Sequence, residues 1–198
     1  MKRAVIVGAT SGLGLEVARL LLERGWSIGV AGRRVEMLEQ LRTVAPDRVR
    51  VHAIDVTQDD APDRLHALID DLGGMDLYFH SSGIGRQNSD LDPSIELATV
   101  RTNGEGFVRM VTAAYRYFRT QGRGHIAAIT SVAGTRGMGA AAAYSATKRF
   151  QRTYLDALAQ LAHREGLRLR ITDIRPGFVR TALLSSEERY PMLMEPAP

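Results

Sequence analysis

The sequence predicts one three-layer α/β domain whose parallel, doubly wound sheet runs in the strand order 3-2-1-4-5-6. Three observations carry that reading. Short apolar runs alternate with longer amphipathic stretches along the chain, as successive βαβ units require. A glycine-rich turn follows directly on the first apolar run. The length of 198 residues, with 44% hydrophobic and 24% charged, suits one buried core.

Taken in order, the strands are expected over residues 4–7, 27–31, 48–54, 76–80, 124–131 and 167–174. The first helix starts near Gly12 and ends at Gly25, placed to relieve the left-handed turn that closes many helices. Another opens at Pro62, whose missing N–H costs nothing in a first turn, and stops at Gly73-Gly74. Its Leu65, Leu68, Ile69 and Leu72 form the i, i+3, i+4, i+7 stripe of a helix packed on one face. A long helix follows Asp92-Pro93 to about residue 119, and a last one covers about 142–164. Residues 185–198 hold three of the seven prolines and are weakly patterned, so a loose tail is expected after a domain spanning 1–184.

Composition excludes several classes of function. No apolar run reaches the ~18–20 residues of a membrane span. The chain enters a strand-like run within four residues, so no secretory leader is expected. With no cysteine there are no disulfides and no thiolate metal sites, which fits a cytoplasmic protein. The five histidines lack metal-ligand spacing. The net charge of +4 comes from 26 basic residues dispersed among 22 acidic ones, which reads as a solvated surface rather than a nucleic-acid stripe. Only Lys2 and Lys148 are lysines.

The turn Gly8-Ala9-Thr10-Ser11-Gly12-Leu13-Gly14 joins a strand to a helix start. Glycines allow a tight turn there, and a pyrophosphate can sit on the free N–H groups of the helix. Glycine-rich turns also serve simple close packing, and the position after an N-terminal buried strand favours the nucleotide. At the end of the second strand stand Arg33 and Arg34, the latter 20 residues beyond Gly14, where an NAD site places an acid on the ribose 2′-hydroxyl. Guanidinium groups there suit a 2′-phosphate, so the cofactor expected is NADP.

Tyr144 and Lys148 lie four apart in a helical segment and so on one face. A phenol with a pKa near 10 exchanges protons poorly at neutral pH. An ammonium about 4 Å away, worth ~4 kcal/mol at an effective dielectric of ~20, would lower it by about three units. A chain that uses arginine elsewhere has lysine where a compact cation is needed. Ser131 ends the fifth strand, within reach of a substrate carbonyl. Asn103, followed by Gly104 in mid-helix, predicts an interrupted helix with backbone carbonyls released to hold a water.

These motifs, in this order and spacing, resemble the short-chain dehydrogenases/reductases over residues 1 to about 182. The resemblance implies a Rossmann-type dinucleotide-binding catalytic domain in which Tyr144 is the proton donor in carbonyl reduction. Lys148 would hold the nicotinamide ribose and lower the tyrosine pKa, Ser131 would orient the substrate carbonyl, and Asn103 would anchor a water leading to Lys148. Asp55-Val56 is similar to the adenine contact. Pro176-Gly177, with Val179 and Thr181, is similar to the clamp on the nicotinamide carboxamide.

Two departures accompany the likeness. His80-Ser81-Ser82-Gly83 stands where the family often has Asn-Asn-Ala-Gly, so the small residues remain for backbone approach to the cofactor while asparagine bracing of the loop is lost. His80 is read as structural. Only 17 residues follow Thr181, fewer than a substrate-covering helix pair and a seventh strand need, so that strand is expected to be missing. The resulting expectation is an NADP-dependent reductase of a small carbonyl compound, with an NADP-binding sensor or scaffold as the rival. Large apolar groups at Tyr115, Phe118, Phe150, Tyr154 and Leu158 further suggest a homodimer, with a tetramer left open.

Overall fold

A computed structural model describes residues 2–177 and Val179; Thr181 and the expected tail 185–198 lie outside the described residues. Six parallel strands form one sheet: β1 (Arg3–Val7), β2 (Ser27–Gly32), β3 (Val49–Ala53), β4 (Leu77–His80), β5 (Arg123–Ile129) and β6 (Arg168–Ile174). They are ordered β3-β2-β1-β4-β5-β6, as expected. The helices are α1 (Gly12–Glu23), α2 (Val35–Val44), α3 (Ala61–Leu72), α4 (Pro93–Val100), α5 (Phe107–Gln121) and α6 (Ala142–Arg164).

The pleat divides the core in two. Val5, Val7, Tyr78 and Ile126 face the layer of α3, α5 and α6, whereas Ala4, Ile6, Phe79 and Ala127 face that of α1 and α2. Burial on both sides is why these strands read as continuous apolar runs rather than alternating ones. The stripe on α3 behaves as predicted, with Leu65, Leu68 and Ile69 buried and Leu72 packed at the margin. Gly25 is left-handed (φ +79°), and the paired bonds from Gly25 N to Leu22 O and Trp26 N to Leu21 O close α1.

The long helix is not uniform. Between α4 and α5 lies a π-helical segment, Arg101–Gly106, centred on the Asn103-Gly104 step. Neither residue favours an α-helix interior, and π-turns concentrate at functional sites. Tyr115 and Phe118, read from sequence as spare apolar surface for a dimer, are instead buried in the chain's own core because α5 turns them toward the sheet. Tyr154 and Leu158 pack against that core as well, while Phe150 is 44% exposed.

Candidate active site

The strand order reverses between β1 and β4, and connections diverge from the carboxyl ends of the strands there. A cavity of about 580 Å³ occupies the resulting crevice. At its outer end Gly8, Thr10, Ser11, Gly12 and Leu13 form one wall. Gly8 is left-handed (φ +93°) and presses on the β4 loop so closely that a Cβ would lie 2.5 Å from Ser82 N. Gly14 lies behind the wall; a Cβ there would meet Gly8 O at 2.2 Å, so its glycine lets α1 close on the turn. Ser11, extended at the start of α1, makes no side-chain cap, and no acidic residue occupies the first turn. The first N–H groups of α1 therefore keep their partial positive charge for an anion.

Arg33 and Arg34 line the same end, both exposed. Arg34 reaches back over the turn, donating from Nη2 to Thr10 Oγ1 (2.9 Å) and Ser11 Oγ (3.0 Å). Asp55 and Val56 complete it. Burial raises the Asp55 pKa, but bonds from Thr57 N–H and hydroxyl, with the charge of Arg33, outweigh it and hold the carboxyl below its usual range.

The inner end is built on α6. Ala143 N donates to Glu96 Oε2 of α4 (2.9 Å), and Glu96 Oε1 accepts from Asn88 Nδ2 (2.9 Å), so one carboxylate joins the start of α6 to the loop that carries Asn88. The ring of Tyr144 lies against Gly85, where a Cβ would come within 2.7 Å. Lys148 is 5% exposed and donates from Nζ to Ile129 O (3.0 Å) and Gln151 Oε1 (3.1 Å). Burial pushes its pKa down to about 8, with Asp173 acting the other way. Ser131 Oγ accepts from Ala133 N (3.0 Å), which leaves its O–H to donate.

The phenol differs from the sequence expectation. Lys148 Nζ stands 5.7 Å from the Tyr144 ring centroid, and burial raises the Tyr144 pKa, opposed by the bond with Ser131. Loss of water around the phenol therefore sets the direction of its shift.

Asn103 is fully buried and is not a wall of the cavity. Its carboxamide clamps the main chain of Ile84, accepting from Ile84 N (2.9 Å) and donating to Ile84 O (2.7 Å). Bracing of the β4 loop, read as lost with the His80-Ser81-Ser82-Gly83 sequence, comes from this residue instead. The Asn103 main-chain carbonyl, expected to hold a water, accepts from Gln151 Nε2 (2.8 Å). Ser81, Ser82 and Gly83 line the cavity, as do Pro176, Gly177 and Val179. His80 lies beneath, fully buried, with Nδ1 2.9 Å from the Tyr78 hydroxyl and its ring edge-on to Phe107. Burial and the nearby Lys148 charge push its pKa down to about 3.

Gln151, Glu96 and Asn88 are additions that sequence reasoning missed. Gln151 was within reach of a spacing argument, because 144, 148, 151 and 155 share one helical face.

A family model described as short chain dehydrogenase matches residues 2–190. The chain belongs to the short-chain dehydrogenases. An uncharacterized oxidoreductase of Myxococcus xanthus is 35% identical over 201 residues, covering 98% of this chain and 79% of that protein. Among solved structures, the closed form of serine dehydrogenase complexed with NADP+ superposes with a TM-score of 0.83 at 28% identity, covering 90% of this chain and 73% of that one. A 3-ketoacyl-(acyl-carrier-protein) reductase from Brucella melitensis complexed with NADH gives 0.84 at 25% identity, covering 92% and 77%. Neighbours of this fold are thus found with NADP+ and with NADH.

Proposed function

We propose that this short-chain dehydrogenase reduces a small carbonyl compound to its alcohol, reversibly, with NADP(H). The observation that carries the reading is the meeting of Ser131, Tyr144 and Lys148 with the glycine turn, Arg33 and Arg34 in one crevice. The residues fit the cofactor: the uncapped start of α1 suits a pyrophosphate, the two arginines suit a 2′-phosphate, and Asp55-Val56 suits the adenine. Pro176, Gly177, Val179 and Thr181 are assigned to the carboxamide end. When bound, the cofactor supplies or takes the hydride.

The chain's own groups manage the proton. Ser131, with one of its two oxygen lone pairs engaged by Ala133 N, donates its O–H to the substrate oxygen and orients it. Tyr144 then gives its phenolic proton to that oxygen as negative charge develops there. Burial raises the phenol pKa, so the group carries its proton at neutral pH and can donate it. Lys148 stabilises the resulting phenolate. Asn103 acts from behind by holding the Ile84 backbone, and thereby Gly85 against the tyrosine ring.

Oxidation of NADPH in the presence of a panel of ketones, quinones and aldehydes tests the reading. Substrate-dependent turnover is expected. Tight NADPH binding without turnover would favour a sensor or scaffold. Val100 and Phe150, exposed on α4 and α6, support a homodimer, so light scattering should give about 43 kDa, twice the chain mass of 21.7 kDa, and a monomer would refute it.

A further inference from the structure

Gln151 lies one turn beyond Lys148 on the same side of α6 and is fully buried. Both ends of its amide are used. Lys148 Nζ donates to Oε1 (3.1 Å), and Nε2 donates to the Asn103 main-chain carbonyl (2.8 Å). The orientation is forced: an ammonium can only donate and a carbonyl can only accept, so the amide oxygen must face the lysine. We propose that Gln151 is a positioning residue for Lys148, its amide tying the ammonium to the π-helical segment that carries Asn103.

The chemistry favours an amide at this place. An ammonium has three N–H donors, and two are committed to Ile129 O and Gln151 Oε1. The third is left for the cavity, so two fixed acceptors on the far side aim the remaining proton at the reaction. The charged or titratable groups around Lys148 are Tyr144 on its own helix, His80 on β4 and Asp173 on β6. Of these only Asp173 brings negative charge. Gln151 therefore holds the ammonium in position without adding a second carboxylate that would keep it permanently protonated. The Asn103 carbonyl, in turn, belongs to the residue whose side chain braces Ile84, so one amide links the lysine to the loop behind Tyr144.

The consequence for turnover rests on the hydride-transfer reading, but the contact itself can be read without any substrate or cofactor. Lys2 and Lys148 are the only lysines, so Lys2→Arg leaves a single lysine side chain. In protein labelled with ε-¹³C-lysine, NMR titration of that background should place Lys148 near 8. Gln151→Met removes the acceptor, and Gln151→Asn is a methylene too short to span the gap. Each should lower the titration by about one unit, a tenfold change in acid dissociation. Gln151→Glu should raise it by about one unit or more. A residue that merely fills space would lower the melting temperature in these variants and leave the titration unmoved. Lys148 within about 0.3 unit of the reference in a folded Met or Asn variant overturns the proposal. If Met does not fold, Asn decides. A protein that proved unable to turn over any carbonyl would fail the functional reading while these titrations still stood or fell alone.

Discussion

The two ends of the crevice use positive charge in opposite ways. At the outer end Arg33 and Arg34 are exposed, with Arg34 resting on two hydroxyls of the glycine turn. At the inner end a single lysine is buried among carbonyl, amide, phenol and histidine, with its pKa pushed down to about 8. Exposed guanidinium groups are always charged, adaptable and screened by salt. A buried ammonium is the reverse, since its charge state and direction depend on each neighbour. Under the proposed function the difference is a division of labour: the outer end would select the cofactor by charge, and the inner end would control a proton by geometry.

Removing the phenol at the inner end should change rate with little change in cofactor affinity. Tyr144→Phe is expected to lower kcat about 100-fold or more while the NADPH dissociation constant, read by fluorescence titration, stays within about twofold. Retention of half the activity would remove Tyr144 from the proposed mechanism.

The buried surroundings of Lys148 also predict an acid response. An unfolded histidine takes up its proton near pH 6.5, whereas native His80 does so only near 3. Between those values the unfolded chain binds the extra proton, so stability is full above 6.5 and falls as pH drops, by up to about 1.4 kcal/mol per unit from this group. Urea unfolding at pH 6 and 4.5 should show a shallower loss for His80→Phe than for the parent, about 2 kcal/mol less over that interval. Identical slopes would mean that His80 is already protonated in the native state.

Breaking the outer end should change affinity and spare the rate. Replacing Arg33 and Arg34 together by alanine is expected to raise KM for NADPH about tenfold and leave KM for NADH nearly unaltered. Equal kcat/KM for the two cofactors in the parent at low salt would show that the arginines are surface decoration. The smallest effect sharpens the contrast. Raising salt from about 0.05 to 0.5 M should shrink the NADPH preference a few-fold, while the Lys148 titration moves much less.

Much of the molecule could be read along the chain because its signals are local. Strand β1, the turn Gly8–Gly14, the stripe on α3 and the Tyr144–Lys148 spacing each depend on residues within a few positions of one another. Backbone sterics and periodic burial act at that range, so a linear pattern suffices. Strand order followed as well, because alternating strands and helices with a glycine turn after the first strand match the doubly wound pattern. Tertiary structure decided what depends on partners distant in sequence. Asn103 braces Ile84 across 19 residues, and Gln151 meets the Asn103 carbonyl across 48. Tyr115 and Phe118 turned inward because the sheet lay on that side of α5, which composition could not indicate. The sign of the Tyr144 shift was decided there too. An ion-pair argument from spacing assumes a distance and a dielectric, whereas the fold sets how much water each group has lost.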